Sequence, residues 1–88
     1  MRLKYKFIVR SVAGQTVALA VGEDNKHFNG MIKLNSVGEF IFKLLENDIS
    51  YENIITSLTE KYDVSDDEAK QSVLTYLDTL RKNDLILE

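Results

Sequence analysis

The sequence predicts an α+β fold that is winged-helix-like, with a three-stranded antiparallel sheet followed by three helices. Two observations predict it. The first third of the chain is rich in β-branched and aromatic residues, and from Ser36 onwards the apolar residues recur with the period of a helix. Strands that precede helices, rather than alternate with them, are typical of α+β domains. The 88 residues suffice for one hydrophobic core, so we expect a single domain over residues 1–88.

The first two strands are predicted over residues 7–12 and 15–21, which meet at Ala13-Gly14 and form a hairpin. Alternate side chains of a strand face opposite sides of the sheet. In the second strand we expect the larger side chains to face the core and the smaller ones to face away, that is, Val17, Leu19 and Val21 against Thr16, Ala18 and Ala20.

A third strand is predicted over residues 27–34, after a turn-rich stretch at 22–26. Gly30 lies inside it. A glycine within a strand indicates either a bulge or a place where another backbone comes close.

The first helix is predicted from Ser36, and Asn35 or Ser36 can cap it, with Ser36 and Glu39 spaced as a capping box. Its apolar face comprises Val37, Phe40, Ile41, Leu44 and Leu45.

Ser50 and Ser65 begin the second and third helices. The third helix is expected to end at Asn83, after which residues 85–87 pack back as a tail. The inward positions predicted for the third helix are Ala69, Val73, Tyr76, Leu77 and Leu80.

The composition gives no support for an enzyme, a metal site or a cofactor. There is no cysteine, and His27 is the only histidine. A catalytic triad or a metal site needs several such side chains in a fixed geometry, and no residue spacing supplies partners for this histidine. We therefore expect a non-catalytic protein without a cofactor. The absence of cysteine and of a long apolar segment favours a cytoplasmic location without a membrane partner.

The second and third helices also resemble a helix-turn-helix, which makes a winged-helix DNA-binding or regulatory domain the alternative function. In such a domain the first residues of the third helix contact the bases. Here those residues are Asp66, Asp67 and Glu68, in a chain of net charge −3, and carboxylates repel phosphates. We therefore do not expect nucleic acid as a partner.

The third strand is expected to lie at an edge of the sheet. Unpaired N–H and C=O groups at such an edge can accept a peptide by strand addition. Lys26 and Lys33 can instead protect the edge against aggregation, and a second copy of the chain can pair there to form a homodimer. The residues by themselves leave these uses open.

Two features of the sequence are distinctive: the Leu34-Asn35 junction ahead of an amphipathic helix, and the corner at Tyr62-Asp63-Val64. With the segments 7–10, 31–45 and 73–86, they resemble the PqqD family, the peptide-recognition domains of ribosomal peptide biosynthesis. The resemblance covers nearly the whole chain. It departs from the family at Phe42, where a tryptophan is common, and at Asn83, near which a glycine is common.

The resemblance implies a winged-helix-like domain that captures the leader segment of a precursor peptide. It also implies presentation of that leader to a modifying enzyme, commonly a radical S-adenosylmethionine protein. The leader would lie as an added strand along the third strand, in the groove between it and the third helix. The peptide-binding residues implied by position are Phe28, Asn29, Gly30, Met31, Ile32 and Lys33 in the strand, and the groove-facing candidates in the helix are Val73, Tyr76, Leu77 and Leu80.

Within this set, Met31 is expected to adapt its flexible side chain to an apolar leader residue. Tyr76, Leu77 and Leu80 are groove candidates that also lie on the stripe predicted to face the core. If that stripe is buried, Ser72 and Thr79 form the rim of the groove.

Overall fold

The structure is a computed structural model that describes residues 1–22 and 30–88. Its strands and helices are, in chain order, β1 (Arg2–Leu3), β2 (Phe7–Val12), β3 (Gln15–Ala20), β4 (Met31–Leu34), α1 (Ser36–Leu44), α2 (Tyr51–Lys61), α3 (Asp66–Lys82) and β5 (Ile86–Leu87). The predicted α+β fold is confirmed, because β2, β3 and β4 form a three-stranded antiparallel sheet that three helices follow. The part of the predicted third strand at residues 27–29 lies outside the described residues.

The predicted hairpin is confirmed. Strands β2 and β3 pair in antiparallel register from Phe7 opposite Ala20 to Val12 opposite Gln15. The two residues that connect them have positive φ angles, 52° at Ala13 and 79° at Gly14. This is the type I′ turn, whose twist matches that of the two strands.

The predicted orientation of β3 is wrong for the two alanines, although Val17 is buried, at 3% exposed. Ala18 and Ala20 are 0% and 4% exposed and belong to the core, together with Phe7, the cross-strand partner of Ala20. The ring of Phe7 packs edge-on against Phe42 of α1, with centroids 5.2 Å apart. The methyl groups of the alanines leave room for such bulky side chains to approach the sheet. The larger side chains of β3 therefore do not mark the face that packs against the helices. Large side chains from the helices and from β2 fill that side, and the small alanines leave room for them.

The tail at residues 85–87 packs back as predicted, and it does so as a strand that sequence reasoning missed. Strand β5 pairs with β1 in antiparallel register, Arg2 opposite Leu87 and Leu3 opposite Ile86. The N–H of Leu3 also donates to the carbonyl oxygen of Leu45 at 2.9 Å. The two ends of the described chain are thereby tied to each other and to the end of α1.

The start of α1 is capped by Asn35, whose Oδ1 accepts from the N–H of Gly38 at 2.7 Å. The predicted capping box of Ser36 and Glu39 is wrong, because Glu39 pairs with Lys43 at 2.8 Å. Ser50 and Ser65 cap α2 and α3 as predicted, each accepting from an N–H three residues ahead.

The core lies between the three helices and the face of the sheet that carries Ala18. Its largest fully buried side chains are Phe42, Ile41, Leu45, Ile54, Leu58, Leu77, Leu80, Leu85 and Val73. Each such aliphatic side chain contributes about 1.5–3 kcal/mol relative to exposure. Within residues 1–22 and 30–88, no helix is long and apolar enough to cross a membrane.

Candidate functional site

Strand β4 lies at an edge of the three-stranded sheet. The strand order is β2-β3-β4, and β4 pairs with β3 from Leu19 opposite Met31 to Thr16 opposite Leu34. In the part of the chain that the structure describes, no strand pairs with the other side of β4. Its backbone groups on that side are therefore available to another strand.

The hairpin turn determines which residues of β4 offer their backbone to the edge. In a β-turn the first carbonyl accepts from the fourth N–H, so Val12 and Gln15 form a hydrogen-bonded pair. Hydrogen-bonded pairs alternate along antiparallel strands, and a residue bonded to one neighbour has its N–H and C=O turned away from the other. Gln15, Val17 and Leu19 of β3 are therefore bonded to β2, and the residues between them are bonded to β4. The partners of Thr16 and Ala18 are Leu34 and Ile32, whose N–H and C=O groups accordingly point towards β3. The N–H and C=O of Met31 and Lys33 point to the open edge.

The side chains of β4 divide between the two faces of the sheet. Leu34 is buried in the core and Ile32 packs against it. Met31 shares the opposite face with its cross-strand partner Leu19, and it is 61% exposed. Strand alternation therefore directs Ile32, and not Met31, towards the side of the sheet that carries the helices, and contact of Met31 with a leader residue stays a prediction.

A groove runs between the first turns of α1 and one side of α3. Its volume is about 370 Å³, and its lining comprises Asn35, Val37, Gly38, Ile41, Gln71, Ser72, Thr75, Tyr76 and Thr79. Three residues that sequence reasoning placed at the site, Ser72, Tyr76 and Thr79, are among them. Every residue in this lining is uncharged, so the groove suits neutral side chains.

Val73 does not belong to this lining. It is 0% exposed and packs in the core with Leu77 and Leu80. The assignment of Val73 as a peptide contact is therefore corrected, since its side chain has no surface to offer. Helical periodicity explains the difference, because positions 72, 76 and 79 lie beside the buried stripe rather than on it.

Tyr76 connects α3 with the end of β4 across Gly38. A Cβ atom on Gly38 would lie 3.3 Å from Cε2 of Tyr76 and 3.7 Å from Cδ2 of Leu34. The absence of a side chain at this glycine lets the tyrosine ring settle onto α1. The groove and the last residue of β4 thus meet at one point.

The hydroxyl of Tyr76 is buried, and it has no hydrogen-bond partner among the described residues. Burial raises the pKa of Tyr76 well above its usual range, so the phenol stays protonated at neutral pH. An unpaired buried hydroxyl costs stability, and such groups in native proteins are uncommon. Because Tyr76 also lines the groove, its hydroxyl is part of the candidate binding site.

Six residues of the groove lining were not among the predicted site residues: Asn35, Val37, Gly38, Ile41, Gln71 and Thr75. Gln71 and Thr75 are neighbours of Ser72 on the exposed side of α3, so extending the stripe one helical turn would have found them. Asn35 was recognised only as a cap. Phe28 and Asn29 lie outside the described residues, and Gly30 is half-buried immediately before β4.

The alternative DNA-binding surface has the wrong charge in the structure as well. Asp66, Asp67 and Glu68 occupy the first turn of α3 and are exposed. Their carboxylates are placed at the favourable, positive end of the helix dipole. The acidic turn is therefore explained by helix stability, and phosphate contact there would be repulsive.

Comparisons with known proteins were consistent with this geometry. The family model described as coenzyme PQQ synthesis protein D (PqqD) matches residues 10–86. Among solved structures, TbiB1 in complex with the TbiA(beta) leader peptide is similar, with a TM-score of 0.73 and 20% sequence identity over 97% of this chain and 93% of that one. No curated protein matches. At this identity the structural likeness establishes a common fold.

Proposed function

The chain belongs to the PqqD family, and we propose that it binds the leader segment of a ribosomally made precursor peptide and presents it to a modifying enzyme. The observation that carries the proposal is the open edge of β4 together with the uncharged groove, which lies between α1 and α3 and not, as expected from the resemblance, between α3 and β4 itself. The first supplies backbone hydrogen bonds and the second supplies room for side chains. Strand addition at a sheet edge uses both.

Strand addition fits the four groups that β4 offers. The N–H and C=O of Met31 and Lys33 point to the edge, and an extended peptide presents matching groups at the same spacing. A peptide strand paired there would alternate its own side chains between the two faces of the sheet. Those on the side of Ile32 would be directed towards α3, where Ser72, Tyr76 and Thr79 line the groove.

We propose that the protein acts without catalysis, as a carrier for the leader. The family resemblance points to a radical S-adenosylmethionine enzyme as the recipient. A homodimer through β4 would use the same backbone groups, so a peptide and a second copy would compete for the edge. The leader is favoured as occupant because the groove beside the edge gives it an additional contact.

The proposal is tested by removing a backbone N–H group from the open edge of β4 while leaving the groove residues as they are. Lys33→Pro removes one of the two N–H groups of β4 that point outward, and proline is tolerated where that N–H faces solvent. Lys33→Ala is the matched control, because it keeps the N–H and shortens a side chain on the face away from the groove. The probe is the leader of a precursor encoded beside this chain's gene, measured by calorimetry.

We expect Lys33→Pro to weaken leader binding by about tenfold or more, since the peptide carbonyl is left unpaired, and Lys33→Ala to bind as wild type. Equal affinity of all three proteins would count against strand addition at β4.

A further inference from the structure

The three-stranded sheet has a second surface that the core and the groove do not use. We call it the outer face. Cross-strand partners project to the same side of a sheet, so the register assigns the outer face eight side chains: Ile8, Arg10, Val12, Gln15, Val17, Leu19, Met31 and Lys33. Of the eight, only Val17 is buried, at 3% exposed, and none is a member of the core cluster between the sheet and the helices.

The outer face is more apolar than a solvated sheet face usually is. Five of its eight side chains are aliphatic or methionine, two are cations and one is an amide. Met31 is 61% exposed and Val12 is 42% exposed. Antiparallel sheets with one face in water normally carry polar residues on that face. Met31 and Val12 lie at opposite ends of the outer face, and the apolar side chains between them, Ile8, Val17 and Leu19, are half-buried or buried. An apolar sheet face that keeps exposed side chains at both ends is a candidate interaction site.

The charge of the outer face is opposite in sign to that of the chain. Arg10 and Lys33 are the two cross-strand partners of Val17, which is itself 3% exposed between them. Neither cation forms an ion pair within residues 1–22 and 30–88. No carboxylate lies among the eight side chains, although the chain has 14 acidic residues and a net charge of −3.

We infer that the outer face is the docking surface for the modifying enzyme, and that the enzyme contributes an apolar surface bordered by carboxylates. Charge complementarity carries this choice of occupant, because cations that have no ion-pair partner among the described residues and that border an apolar sheet face select acidic partners. The inference rests on the proposed function, since it names the second partner of a leader carrier. A leader at the β4 edge and in the groove leaves the outer face uncovered, so both partners can bind at once.

Two other occupants fit the outer face less well. A two-fold dimer places the same patch of both copies together, which would set Arg10 and Lys33 against cations of the second copy. Attachment to an anionic membrane uses clusters of roughly four to eight cations, and the outer face has two. A protein with complementary carboxylates satisfies both features of the surface.

The test uses variants of β2, the strand at the opposite edge of the sheet from β4. Arg10→Glu reverses a cation of the outer face, and Val12→Glu places a charge in its apolar part. The matched controls are Lys70→Glu and Leu74→Glu on α3, since Leu74 is 42% exposed, as Val12 is. The probe is the modifying enzyme encoded beside this chain's gene, with the leader peptide titrated separately.

We expect each β2 variant to weaken enzyme binding by at least about tenfold, because it places a negative charge on the outer face. Leader affinity should stay within about twofold of wild type, because the β4 edge and the groove are unchanged. The α3 controls should bind both partners normally. Circular dichroism verifies that each variant is folded, and the two β2 variants test the surface independently.

Several outcomes would overturn the inference: wild-type binding of the enzyme by all β2 variants, loss of leader binding together with enzyme binding, or no enzyme binding by the wild type. The inference would also be overturned if the wild type dimerised, or bound vesicles of phosphatidylcholine and phosphatidylserine, and the β2 variants abolished that association. The two proposals fail separately. Enzyme binding without leader binding would refute the leader-binding function. Leader binding and enzyme binding by the wild type, with enzyme binding unchanged in both β2 variants, would refute only the docking surface.

Discussion

Helix α3 carries two stripes of side chains that lie next to each other and make different contacts. The buried stripe of Ala69, Val73, Leu77 and Leu80 packs in the core, and the groove stripe of Ser72, Thr75, Tyr76 and Thr79 lines the groove. Strand β4 divides in the same way, with Ile32 turned to β3 and the core and Lys33 turned to the open edge and the outer face. Adjacent residues therefore separate stability from binding, and substitutions at neighbouring positions can test the two independently.

The largest expected effect follows from removing a side chain of the buried stripe. Leu77→Ala should lower the free energy of unfolding by about 2–5 kcal/mol, since it removes buried methyl groups and leaves a cavity. Ser72→Ala, on the groove stripe, should change it by no more than about 0.5 kcal/mol. Urea unfolding measures both. Similar losses in the two variants would mean that the stripes are not separated as described.

A smaller effect on stability distinguishes the two sides of β4. Ile32→Pro removes an N–H that bonds to β3 and should lower the free energy of unfolding by about 1–3 kcal/mol. Lys33→Pro removes an N–H that points outward, so its unfolding should stay close to that of wild type. The comparison is made by thermal and urea unfolding. The reverse order would show that the alternation of backbone groups along β4 has been assigned the wrong way round.

Apolar spacing predicted the buried stripe of α3, and strand-forming runs on either side of Ala13-Gly14 predicted the hairpin, because both signals are local in the sequence. The orientation of β3 was not predictable in this way. Ala18 belongs to a core cluster that side chains of all three helices complete, which is a property of distant segments. The two-stranded sheet of β1 and β5 was missed for the same reason. Each strand is two residues long, so only its pairing with the other identifies it as a strand.

Three of the predicted site residues line the groove: Tyr76, which the resemblance implied, and Ser72 and Thr79, which flank the apolar stripe. Contact of these residues with a peptide stays a prediction. The roles of Met31 and Ile32 needed the register of β4 on β3, which depends on the turn at Ala13 and Gly14. Sequence alone places a residue on a strand, but the pairing decides which face its side chain occupies.

Tyr76 should show the smallest change in stability and a distinctive dependence on pH. Tyr76→Phe removes a buried hydroxyl that has no partner among the described residues, so we expect stability at neutral pH to be unchanged or raised by up to about 1 kcal/mol. The raised pKa of Tyr76 means that the unfolded chain loses this proton before the folded chain does. The wild type should therefore lose stability as pH rises above about 10, the ordinary pKa of tyrosine.

The measurement is the difference in unfolding free energy between wild type and Tyr76→Phe from pH 7 to pH 11, in which contributions from the other tyrosines cancel. The variant should gain relative to the wild type above pH 10. A difference that is independent of pH would contradict the burial of this hydroxyl in the folded protein.

The central claim, that a leader peptide adds as a strand to β4, is tested most directly by amide hydrogen exchange at single residues with and without the leader. The amides of Met31 and Lys33 point to the edge and should exchange more slowly once the peptide accepts from them. The amides of Ile32 and Leu34 already bond to β3 and should change little by comparison. Protection that alternates along β4 is the predicted result; unchanged exchange at Met31 and Lys33 in the presence of bound leader would contradict it.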